Sequence, residues 1–150
     1  MDFAKYASKG NEIINKISSQ ATIPENKAGR ILRASLHALR NRISIDESFH
    51  LLAQLPLVLK GIYVDGWRPN QPFERIKHMQ DFLDEVRAMD TGNAAYDFGN
   101  DEKAKQLIGV VFQVMQEYIS EGEFEDVLGH LPPEIRSFMQ MQKKEQPTIL

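Results

Sequence analysis

Cysteine is absent from the sequence, which removes disulfides, thiol nucleophiles and thiolate metal sites together. Long apolar runs are absent too: none nears the roughly 18 residues that mark a membrane span. Met1-Asp2-Phe3 does not open a signal peptide, so no membrane association is expected and the expected location is the cytoplasm. Strict alternation of apolar and polar residues, the mark of a half-buried strand, is missing at any useful length. So are the glycine-rich phosphate loop, the G-x-S-x-G elbow and the H-E-x-x-H zinc motif. No order of Ser, His and Asp argues for a triad, since Ser44 and Ser120 are placed to cap helices. The sequence therefore points away from an enzyme, and neither a cofactor nor a metal is expected.

What remains is helical. The 150 residues suffice to bury a core, and 42 % hydrophobic with 26 % charged residues is a soluble globular balance. The net charge of −3 is unevenly spread: residues 1–66 sum to +3 and residues 67–150 to −6. Such asymmetry can mark a nucleic-acid arm, or can let the two halves, or two copies, attract each other. A pI near 5.8 favours the second group of readings.

The stretch from Ile43 to Tyr63 is written twice. Ile43-Ser44-Ile45-Asp46-Glu47, Leu51-Leu52, Leu55-Pro56, Leu59 and Ile62 return 76 residues later. The second copy reads Ile119-Ser120-Glu121-Gly122-Glu123, Val127-Leu128, Leu131-Pro132, Ile135 and Phe138. Each copy opens with Ser-x-x-Glu, a capping box in which Ser accepts a helix-start N–H and Glu reaches back. Each breaks at Leu-Pro, where proline suits the start of a new helix.

Around this pair the periodicity continues. Phe3, Tyr6, Ala7, Gly10, Ile13, Ile14 and Ile17 have the spacing of a helix with one buried face, weakened at Gly10. Thr22-Ile23-Pro24-Glu25 reads as the start of a second helix, with Thr as its cap. Val64 to Pro72 is the densest turn segment. Asp81 to Val86 matches Glu12 to Ile17 at an offset of 69, so the second half carries a seven-residue insertion within Thr91 to Asp101. That insertion reads as a loop pinned by Tyr96 and Phe98. The expected fold is all-α, with two pseudo-symmetric four-helix repeats and eight helices in one domain spanning 1–142. Repeat one covers 3–63, a connector 64–73, repeat two 74–141, and 143–150 form a loose tail.

Three runs carry a resemblance: Arg33 to Arg42, Leu51-Leu52-Ala53-Gln54-Leu55-Pro56, and Gly61-Ile62-Tyr63-Val64-Asp65-Gly66-Trp67. With Phe82, Val86 and Gly129-His130-Leu131-Pro132, the chain resembles the bacterial domain of unknown function 2267 over most of residues 10–140. The resemblance implies a compact helical bacterial protein and implies no activity.

Three sets of residues are candidates for more than packing. Glu47-x-x-His50 has the spacing of a carboxylate–histidine metal-ligand pair on one helix face. The equivalent positions in the second copy are Glu123 and Asp126, which breaks the symmetry of a di-metal site, so Glu47 reads as a surface cap. Arg30, Arg33, His37 and Arg40 form a basic stripe on the second helix, able to contact phosphate, or paired with Glu121, Glu123, Glu125 and Asp126. Phe49, Tyr63 and Trp67 are large aromatics that either anchor a partner or plug the seam between repeats. The reading that results is a non-enzymatic interaction or scaffold module, binding a protein or a second copy. The alternative is a nucleic-acid-associated protein using Arg30, Arg33 and Arg40.

Overall fold

A computed structural model of the chain describes residues 1–70 and 76–142. Among the described residues the regular structure is entirely helical: α1 (Phe3–Ala21), α2 (Glu25–Arg40), α3 (Ile45–Gln54), α4 (Leu57–Val64), α5 (Met79–Met89), α6 (Ala94–Phe98), α7 (Asp101–Met115), α8 (Glu121–Gly129) and α9 (Pro133–Met141). The all-α expectation holds. The helix count does not, because α6 is extra. It lies in the insertion expected to be a loop, where Phe98 is fully buried while Tyr96 stays mostly exposed. One apolar anchor and a salt bridge from Asp97 to α2 suffice to wind that segment into a helical turn.

Helix ends follow local chemistry. The Asp2 carboxylate accepts from the Ala4 N–H at 3.0 Å and starts α1. Ser44 and Ser120 accept from the N–H groups of Glu47 and Glu123, starting α3 and α8. Pro56 and Pro132 occupy the positions just before α4 and α9, as the Leu-Pro breaks suggest. Thr22 is a correction: it closes α1 in the left-handed conformation, φ 55°, and Pro24 precedes α2 instead. The N–H groups of Thr22 and Ile23 both return to the Ser18 carbonyl, which satisfies the end of α1.

The first turns of α1 also depart from expectation. Phe3 and Ala7 are exposed and Tyr6 only half-buried; full burial begins at Ile13 and Ile17. α1 nonetheless runs through Gly10 as one helix. A Cβ there would stand 3.2 Å from Val58 Cγ1, so the missing side chain lets α4 approach closely.

α2 is the centre of the packing, in contact with α1, α4, α5, α6 and α7. Around it α1 packs on α7 as α5 packs on α2, and α4 lies on α1 and α2 as α9 lies on α5 and α7. α3 meets α8. A single apolar cluster runs from Ile13 to Met139 through both halves of the chain. Of the expected connector 64–73 and second repeat 74–141, residues 71–75 lie outside the described residues, as does the expected tail 143–150.

Leu55 and Leu131 end α3 and the α8 turn with 3 % and 2 % exposure. Leu131→Ala should therefore cost about 2–5 kcal/mol in a thermal or denaturant melt. Gly61→Ala should do the reverse. Gly61 sits inside α4 with nothing within 4 Å of an added Cβ, so helix propensity alone should raise stability by about 0.5–1 kcal/mol. A neutral Leu131→Ala, or a destabilising Gly61→Ala, would contradict this packing.

Candidate functional site

α4 ends in the expected Asp65-Gly66 turn, with Gly66 at φ 70° and the Trp67 N–H returning to the Val64 carbonyl at 3.0 Å. The turn stacks two aromatics at the junction of α2, α3 and α4. Tyr63 has no exposed surface, and its Oη shares a 2.7 Å hydrogen bond with Ser48 Oγ in α3. Burial pushes the phenol up to about 12. The ring of Trp67 meets that of Tyr63 edge-on, 5.8 Å between centroids and 84° between planes. Tyr63 is thus buried against α2, α3 and the connector, with no surface to offer a partner directly. Trp67 is half-buried, and Phe49 is 59 % exposed on α3. Of the three aromatics, the structure brings Tyr63 and Trp67 together and leaves Phe49 apart on the surface.

Trp67 also forms one wall of a groove. Ile43 before α3, Ile45 at its start, Met89 at the end of α5, and Arg68 and Pro69 share that lining with the polar Asn41, Ser44 and Thr91. Ile45 is 39 % exposed and stands four residues from Phe49, on the same face of α3. Arg40 lies at the base. Its Nη1 donates to the carbonyls of Tyr63 and Asp65 at 2.6 and 2.8 Å, yet among the described residues its Nε–H has no hydrogen-bond partner. Burial lowers the pKa of this guanidinium from its ordinary value.

The basic stripe is engaged within the fold. Arg30 donates through Nε and Nη2 to both oxygens of Asp97 at 2.8 Å, and Arg33 Nη1 lies 2.6 Å from Asp65. His37 Nε2 is 2.7 Å from the Ile62 carbonyl, and burial holds its pKa below the usual imidazole range. These partners come from the α4 turn and from α6. They are not the α8 acids Glu121, Glu123, Glu125 and Asp126, because the stripe faces the connector and the insertion.

Asp97 in turn presses on Asp90, which is 6 % exposed. Burial, then the neighbouring Asp97 carboxylate, pushes Asp90 up to about 7. Asp97 is raised by its own burial, but the Arg30 hydrogen bonds outweigh this and hold it below the usual range.

The α3–α8 contact carries the least expected cluster. Glu47 is not the surface cap that its position suggests. It is 6 % exposed, and its Oε2 lies 3.2 Å from His130 Nε2 and 3.8 Å from His50 Nδ1. Glu123 approaches from α8, so that one ligand-type atom each from Glu47, His50 and Glu123 lies within 4.8 Å of the others. Burial, then the Glu47 carboxyl, raises the pKa of Glu123. The backbone N–H of Ser120, which a reciprocal capping box would satisfy, instead donates to Gln54 Oε1 at 2.7 Å. The second imidazole, His130, is a residue that sequence reasoning missed. Its only signal is equivalence at offset 76 to Gln54, at the far end of the same short helix.

Asp90 generates a pH-dependent stability. A carboxyl whose pKa is higher in the folded than in the unfolded chain contributes stability at low pH. That contribution is lost as pH rises from the ordinary value of 3.8 through about 7. Asp90→Asn should remove this fall and leave the variant more stable than the parent at pH 8 by about 1–3 kcal/mol, the cost of an unsatisfied buried polar group. Melts at pH 5 and pH 8 check it; parallel pH profiles for the two proteins would refute the assignment.

No helix among the described residues is long and apolar enough to cross a membrane. No curated protein matches the chain at a significant level. The profile of one family, described as an uncharacterized conserved protein (DUF2267), matches residues 10–138. With that match covering most of its length, the chain belongs to the DUF2267 family of uncharacterized conserved proteins.

Proposed function

We propose that the chain is a non-enzymatic protein-interaction module of the bacterial cytoplasm, and that the groove beside Trp67 is its working surface. The observation that carries the reading is the groove itself, walled by a half-buried tryptophan beside the partly exposed Ile45 and Met89 and the exposed Arg68. Arg68 is exposed in the same lining, where a carboxylate could meet it with a charge-assisted hydrogen bond. Trp67, Ile45 and Met89 offer apolar contact at the same place. The partner that fits is a protein segment with an apolar side chain next to an Asp or Glu.

The nucleic-acid reading has less support. A phosphate would have to displace Asp97 from Arg30 and Asp65 from Arg33, and the chain as a whole is acidic, at −3. Elution from heparin or DNA resin below about 0.2 M salt is expected; retention beyond that would favour nucleic acid and count against the groove.

The test uses Ile45→Asp and Arg68→Glu, changes at exposed positions that should alter stability by less than about 0.5 kcal/mol. Trp67 is the only tryptophan, so its emission reports the groove. Titration with acidic-apolar peptides should shift that emission saturably in the parent and not in either variant. Equal responses in parent and variants, or a response to basic peptides alone, would defeat the proposal.

We also infer that the two halves are an internal duplication. Helices α2, α3 and α4 begin 76 residues before α7, α8 and α9, and the packing pairs exchange with one another. An experimental structure in which residues 27–63 fail to superpose on residues 103–139 would count against it.

A further inference from the structure

We propose that the α3–α8 seam is a binding site for a divalent first-row transition ion, held by Glu47, His50, Glu123 and His130.

Three observations converge there. The first is donor placement: atoms of Glu47, His50 and Glu123 that could ligate lie within 4.8 Å of one another, and His130 Nε2 is 3.2 Å from Glu47 Oε2. Ligands around a tetrahedral ion with bonds of about 2.0–2.2 Å stand roughly 3–4 Å apart, so side-chain rotation must draw the three clustered donors together and bring in His130, which now touches Glu47 alone among them. The second is the state of Glu47. Its side chain is only 8 % exposed, and among the described residues its Oε1 has no hydrogen-bond partner while Oε2 meets the imidazoles. A buried carboxylate oxygen left without a donor is costly, and a cation is one of the few groups able to satisfy it. The third is that Glu123 Oε1 is unpartnered as well.

The donor set selects the class of ion. Two imidazoles and two carboxylates suit zinc and its neighbours, whereas magnesium and calcium prefer sites made of oxygen alone. The ion would join α3 to α8, elements from opposite halves of the chain. His50 and His130 have side chains 66 % and 49 % exposed, so the ion has a path from solvent. The site is independent of the groove: Glu47 and His50 lie on a face of α3 away from Ile45.

The experiment titrates the full chain, without a histidine tag, with zinc chloride, magnesium chloride and calcium chloride by calorimetry. One zinc should bind per chain, and zinc should raise the melting temperature, as a ligand that binds only the folded state must. Glu47→Gln and His50→Ala should each weaken zinc binding at least about tenfold. His78→Ala, at the exposed His78–Glu134 pair, should leave it unchanged. His50 lies on the surface, so His50→Ala tests the site without endangering the fold. In imidazole NMR spectra zinc should move His50 and His130 and leave His37 and His78 in place. The proposal fails if zinc binding does not saturate or if the variants bind as tightly as the parent. It fails equally if magnesium or calcium competes on equal terms, or if zinc moves His78 instead.

Discussion

Ten residues of α2 are buried, among them His37 and Arg40, and the imidazole and guanidinium of these two need partners and find them inside the protein. This demand shapes everything along one side of the molecule. His37 takes the carbonyl of Ile62, Arg40 takes those of Tyr63 and Asp65, and Arg33 pairs with the Asp65 carboxylate. Those bonds hold the end of α4 and the turn that follows it. Arg30 does the same for the insertion by gripping Asp97 in α6. Arg30 and Arg33 of the stripe are ion-paired with the insertion and the connector. Because the guanidinium of Arg40 is almost fully buried, removing its partners would leave an uncompensated charge rather than a freed one.

The same demand accounts for the groove. Arg40 satisfies two backbone carbonyls through a single nitrogen, Nη1, and its Nε is left over. The turn it fastens carries Trp67, whose ring is propped edge-on by the buried Tyr63. The tryptophan is thereby held half out of the core by a ring that is itself fixed through Ser48. Pre-organisation of this kind lowers the ordering cost of a contact.

What the sequence reveals and what it hides divide along chain distance. Signals within a few residues are legible: Ser44 and Ser120 cap, Pro56 and Pro132 precede new helices, and Asp65-Gly66 turns. Thr22 was misread because a residue between two helices can close one or open the next, and Pro24 two positions on already serves α2. Phe3 was misread because periodicity gives the face of a helix but not how far along its length a neighbour extends. The long-range partners are invisible to either signal. Nothing local joins Arg30 to Asp97, or Glu47 to His130, across 67 and 83 residues. Offset 76 does align Glu47 with Glu123, but alignment in sequence does not say that two residues meet in space.

α3 shows how these constraints meet in ten residues. Successive helical positions turn by about 100°, so Ser48 and Leu51 point inward and Ile45 and Phe49 outward. Glu47 and His50 fall between, toward α8. A helix serving only a core would place small or apolar residues along that third side. Carrying carboxylates instead brings Glu47 against Glu123, and two charges under about 5 Å apart at an effective dielectric near 20 repel by about 3 kcal/mol. Such a helix is held in place by Ser48, Leu51 and Leu55 on its inner side, and that apolar hold lets its other two sides carry chemistry that packing alone would not choose.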